Sequence, residues 1–170
     1  MIKTKIILDA DVIIHFSKGN RLSDLPEIFK GYEYVVLETV YNEIHEPLKS
    51  QLDNQVNYLK NIKILPFSPK GEILKEYAML TKTRGRGESA CMAYCRFHHD
   101  VIGSSNLKDI EDYCSKYEIT YLTTLDFLYY AIQHKIISIN EANLFVQEVC
   151  NKDSKLPNVD FNTFISHVII

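Results

Sequence analysis

An α/β fold built on a parallel sheet is what this chain predicts, and three observations predict it. Short apolar runs that read as strands alternate with longer segments of helical period. The first run, Ile6-Ile7-Leu8, is apolar at consecutive positions, as in a strand buried on both faces. It stops at an acid, Asp9, with a second acid, Asp11, close behind. Open α/β sheets place their ligands at the carboxyl ends of strands, where Asp9 falls.

The elements follow in order. Lys5–Leu8 is the first strand, Val12–Ser17 a short helix ending near Gly19, and Leu22–Phe29 a helical stretch. Tyr34–Leu37 is the second strand. Apolar residues then recur at Val40, Ile44, Leu48, Leu52, Val56 and Leu59, the spacing of one long amphipathic helix over Thr39–Lys60. Pro47 is placed to kink or split it. Ile62–Phe67 is the third strand, and Ser68-Pro69 opens a helix through Thr81 with Pro at its first position. Lys82–Gly87, KTRGRG, reads as a loop. Glu88–His98 is a helix, Val101–Gly103 a strand, and Leu107–Tyr117 a helix with Leu107, Ile110, Cys114 and Tyr117 inward. Ile119–Leu122 is the fifth strand. Leu125–His134, Asn140–Asn151 and Asp160–His167 close the chain as helices. The helix at Leu125–His134 is apolar on more than one face, which predicts burial in the core or in a homodimer interface.

A length of 170 residues suffices for one domain with a sizeable core. No internal repeat or linker marks a second domain. A net charge of −3 argues against coating nucleic acid by charge alone, though not against a local basic groove. No apolar run is long enough to span a bilayer, and the first residues lack the pattern of a signal peptide. A cytoplasmic location without membrane attachment is the expectation. Cys91, Cys95, Cys114 and Cys150 are scattered, mostly in helical segments, and read as free buried thiols.

Three acids stand out by position. Asp9 ends the first strand, where a buried carboxylate is costly unless paired or bound to a cation. Its alternative role is capping the next helix. Glu43 flanks the buried face of its helix beside Ile44, or is a surface residue. Glu88 shares a face with Cys91, Cys95 and His98, or simply complements a helix N-terminus. Gathered at one sheet edge, the three would repel one another unless a hard divalent cation, which prefers oxygen ligands, were bound. Lys82, Arg84 and Arg86 form the only concentrated basic stretch, directly before Glu88. They read as phosphate contacts or as a solvated loop. Cys91, Cys95, His98 and His99 lack the paired spacing of a zinc site. His15, His45, His134 and His167 are isolated and read as structural or exposed, and most of the tyrosines as packing residues.

ILDADVIIHF, VVLETVYNEI and GRGESACMAYCR, in this order and spacing, resemble a PIN domain, and ITYLTTLDFLYYAIQHKIISINEA resembles the closing part of toxin-like PIN proteins. The likeness runs over nearly the whole chain, and the order of the motifs carries it. It implies a single PIN-like domain over residues 1–170 with C-terminal helices from about 125, and a Rossmann-like three-layer α/β/α fold with about five parallel strands. It also implies Mg²⁺- or Mn²⁺-dependent cleavage of RNA and inhibition by an antitoxin-like partner. Asp9, Glu43 and Glu88 match the family's first three acids and are the expected metal ligands. Asp11 and Ser105 take supporting, hydrogen-bonding places. The family's Asp-rich turn is replaced by Ser104-Ser105-Asn106, so Asn106 stands at the fourth position. Asp109, one turn further on, is the alternative for that role, although helical spacing sets it off the core face of its helix. The expected activity is a metal-dependent endoribonuclease, and the rival is a catalytically impaired binding or regulatory module.

Overall fold

The computed structural model describes residues 3–170. Its five strands are β1 (Lys5–Leu8), β2 (Glu33–Leu37), β3 (Ile62–Leu65), β4 (Val101–Gly103) and β5 (Tyr121–Leu122). All pair in parallel in the order β3-β2-β1-β4-β5. The expected α/β fold is therefore present, as a Rossmann-like sheet between two helical layers. β1 lies at the centre, so Ile6, Ile7 and Leu8 are covered on both faces and fully buried. Burying each such side chain contributes about 1.5–3 kcal/mol.

Right-handed crossovers fix the layers. From β1 the chain moves outward to β2 and β3 through α1 (Ala10–Lys18), α2 (Leu25–Ile28), α3 (Glu38–Tyr41) and α4 (Leu48–Asp53). It then crosses the sheet by α5 (Gly71–Leu80) and α6 (Arg86–His98) to β4, and moves outward again through α7 (Leu107–Tyr117) to β5. The last helices, α8 (Thr124–Gln133) and α9 (Ile139–Asn151), return to pack on α1, whose other neighbour is α4. The opposite layer centres on α6, flanked by α5 and α7. Gly87 through Cys95 are all buried in α6, as for a helix enclosed nearly all round.

Several elements differ from expectation. α5 starts only at Gly71, so Pro69 lies before the helix and not at its first position. The Thr39–Lys60 helix is broken: residues 42–47 leave the helix, and α4 runs on as a single π-helical turn, Asn54–Tyr58. Pro47 lacks an N–H and disfavours helix at Glu46, so the break falls where the proline allows it. The loop before Glu88 is shorter, because Arg86 and Gly87 already belong to α6. Asp160–His167 is not a helix. The Asp160 carboxylate accepts from the Asn162 N–H at 2.9 Å, and the chain makes only a turn there.

That tail serves another purpose. Phe164 packs edge-on against Tyr129, the Tyr130 hydroxyl donates to Val168 O at 2.6 Å, and Ser166 Oγ donates to the buried Asp126 at 2.7 Å. The tail thus covers part of the apolar surface of α8, where Tyr129, Tyr130 and Ile132 stay half-buried. Among the described residues no helix is long and apolar enough to cross a membrane. All four cysteines are free; Cys91, Cys95 and Cys114 are buried as expected, but Cys150 is exposed. Burial pushes the Cys91 and Cys95 thiols well up, and that of Cys114 to about 12.

One close approach holds α1 to α9. Phe16 meets Phe127 and Phe145 at centroid distances of 6.0 and 5.0 Å. A Cβ on Gly19 would fall 2.3 Å from the Phe145 ring. Gly19 has φ −79°, which suits any residue, so only this contact requires glycine. Gly19→Ala should cost about 1–3 kcal/mol by overpacking, and urea denaturation of the variant should show the midpoint fall with the slope unchanged.

Candidate functional site

The crossovers from β1 and β4 leave in opposite directions, so a crevice opens at the carboxyl ends of these neighbouring strands. The Asp9 N–H donates to Gly103 O at 2.8 Å, and the Ser104 N–H donates to Leu122 O at 3.0 Å. This ladder sets Asp9 beside Ser104. The crevice is a cleft of about 700 Å³ lined by the acids Asp9, Asp11, Glu88 and Asp109, with Asn106 and Ser105. Lys82 and Arg84 line it from the α5–α6 connection, and His15 and Lys155 from the α1 layer.

Each acid is held differently. Asp9 caps α1 and faces the cleft at once: one carboxylate oxygen accepts from Ala10 N–H at 2.8 Å, the other from Ser104 Oγ at 3.1 Å. The capping role is thus present, and the same carboxylate also lines the cleft. Asp11 accepts from the Ser105 N–H at 2.8 Å and the Val12 N–H at 2.6 Å, which places it in the cleft wall. Glu88 and Asp109 share one donor, the Asn106 amide, at 3.0 and 2.6 Å.

Crowding raises the acids. Burial, then the neighbouring Asp11 charge, pushes Asp9 well above the usual carboxylate range, and burial raises Asp11 despite its hydrogen bonds. Burial, then the Asp109 charge, lifts Glu88 to about 7, with Arg84 acting in the opposite sense.

Glu43 is not part of this cleft. Its carboxylate accepts from the Gly87 N–H at 2.8 Å, and a Cβ on Gly87 would lie 2.4 Å from it. α6 has no side-chain cap of its own. Glu43 fills that role from a different segment, against the positive end of the helix dipole. With Arg86 it lines a separate groove of about 400 Å³. Of the residues singled out in the sequence, the structure thus brings Asp9, Glu88, Asn106, Asp11, Ser105, Lys82 and Arg84 together around the cleft, and sets Glu43 and Arg86 on the other groove.

Asp109 lies off the core face of α7, as expected, and that face turns to the cleft, where the Ser104-Ser105-Asn106 turn offers no carboxylate. One feature went unread. His15 is buried, and burial lowers it to about 4, so the ring is neutral. Ser105 Oγ donates to Thr124 Oγ1 at 2.7 Å, which frees the Thr124 hydroxyl proton for His15 Nδ1 at 2.9 Å. No periodicity in the sequence links residues 15, 105 and 124.

The donors around the cleft are the oxygens that a hard divalent cation prefers. As the side chains stand, no three His, Cys, Asp or Glu residues among those described are gathered to hold a metal ion. The set thus has the chemistry of a cation site, with its acids parted onto serine, backbone and amide donors. The chain matches no protein-family model and no curated protein sequence.

Two expectations follow. Glu88 titrates near 7 when folded and near 4.5 when unfolded, so the stability it allows is complete below pH 4.5 and lost as pH rises through 7. In chelator, Glu88→Gln should be more stable than the parent at pH 8 by about 1–2 kcal/mol, a difference that shrinks towards pH 5; urea curves at both pH values check it. Glu43→Ala should cost about 1 kcal/mol as a lost cap, whereas Glu43→Gln keeps an acceptor for the Gly87 N–H and should cost less than half as much.

Proposed function

We propose that this protein is a metal-dependent endoribonuclease of the toxin-like PIN type, cytoplasmic and restrained by an antitoxin-like partner. One observation carries the reading: four carboxylates, with Asp9 and Glu88 buried, meet at the fork of a parallel sheet beside Lys82 and Arg84. A site evolved only for stability would not crowd acids until their pKa values rise. Mg²⁺ or Mn²⁺ would be held by Asp9 and Glu88, with Asp109 and Asn106 beside them. Such a cation acts as a Lewis acid and generates a nucleophile from water at neutral pH.

The chain's own residues divide the remaining work. Ser104 orients Asp9, and the Ser105 N–H orients Asp11. Asn106 keeps Glu88 and Asp109 from repelling each other apart. Lys82 and Arg84 would take phosphates flanking the scissile one. Glu43 is a positioning residue in this reading: it fixes the first turn of α6 and so aims Glu88.

A second reading, a binding or regulatory module without catalysis, is favoured by the parted acids and by Glu43 being engaged elsewhere. Melting curves and RNA cleavage separate the two. The parent should gain melting temperature with Mn²⁺ or Mg²⁺ by mass action and should cut mixed single-stranded RNA to 3′-hydroxyl and 5′-phosphate ends. Asp9→Asn should lose both responses, and Glu43→Gln should keep most of them. A parent that binds RNA but shows neither metal response nor cleavage would leave the module reading standing.

A further inference from the structure

We infer that Lys155, carried by the segment after α9, is a phosphate-binding residue that completes the cationic rim of the cleft from the layer opposite Lys82 and Arg84. The inference rests on the nucleic-acid reading above. Lys155 lines the same cleft as the four acids, yet it belongs to the segment packed on the α1 side. Lys82 and Arg84 belong to the connection between α5 and α6, on the other side of the sheet. The acids therefore lie between two cationic walls.

The segment is clamped where it matters. Lys18, at the end of α1, donates from Nζ to Lys152 O and to Ser154 Oγ, the latter at 2.8 Å, and Lys152 Nζ donates back to Lys18 O at 2.8 Å. The clamp ends one residue before Lys155. Further on, Ser166 and Val168 fasten the chain to Asp126 and Tyr130 of α8. The backbone that presents Lys155 is thus tied down on both sides.

The charge of Lys155 is spare. Among the described residues it makes no ion pair, and neither does Lys82 or Arg84, although four carboxylates line the same cleft. Cations that stand around acids without pairing with them keep their charge for something else. A ligand suited to this pattern carries negative groups at intervals and crosses the acids between them. A nucleic-acid strand does so, its outer phosphates at the rims and the central one over Asp9 and Glu88.

The test measures binding of a fluorescein-labelled, mixed-sequence single-stranded RNA by anisotropy. It uses the full chain in EDTA, so that no cleavage intervenes, from 50 to 200 mM salt. Lys155→Ala should weaken binding about three- to tenfold at low salt and lower the salt slope by about 0.7, the value for one phosphate contact on a single strand. Lys155→Arg should restore both, and Lys135→Ala, at a distant turn, should change neither. If Lys155→Ala binds with the parent's affinity and slope while Lys82→Ala and Arg84→Ala are weakened, the inference fails and the nucleic-acid reading stands. If the parent binds no RNA at any salt, both fall. A merely structural role for Lys155 would lower the melting temperature without changing the slope, and that result also overturns the inference.

Discussion

The hydrogen bond from the Ser104 hydroxyl to Asp9 ties the ends of two strands together at the place where the sheet's crossovers part. Much of the site depends on it. An acid ending a central strand is buried by the fold itself, and a buried carboxylate must find donors. The turn after β4 supplies them: Ser104 to Asp9, the Ser105 N–H to Asp11, and the Asn106 amide to Glu88 and Asp109. The uncharged residues of this turn are therefore the ones that hold the four acids apart. A turn without a carboxylate adds no further repulsion for the fold to bear.

Much of this was legible in the sequence, for physical reasons. A central strand in a parallel sheet is covered on both faces, so Ile6-Ile7-Leu8 had to be uniformly apolar and Asp9 had to stand out against it. β2 and β4 likewise showed themselves as unbroken apolar runs. The alternation of strand and helix then fixed the class of fold, and with it the edge of the sheet where a site belongs.

What could not be read depended on contacts between distant segments. Helical spacing separates the core face from the rest, and α7 shows that the rest can be a cleft wall: Asp109 obeyed the spacing and still faces the site. Glu43 was placed by an assumed helix over Thr39–Lys60. Once Pro47 broke that helix, the carboxylate was free to reach Gly87, where the absence of a Cβ makes room for it. The polar chain from Ser105 through Thr124 to His15 joins three elements far apart in sequence. The Asp160–His167 segment has helical composition, yet its energy is realised in contacts with α8 that no local propensity encodes.

The uneven burial of the four thiols has a practical side. Cys91, Cys95 and Cys114 are enclosed, and their raised pKa values leave almost no thiolate at neutral pH, so alkylating reagents and dyes will pass them by. Cys150 alone is open to solvent, on the last turn of α9, just before the clamp formed by Lys18 and Lys152. The native sequence thus already carries a single attachment point for a maleimide fluorophore, next to the segment that bears Lys155. Spectroscopy of that segment can proceed without first engineering away any other cysteine.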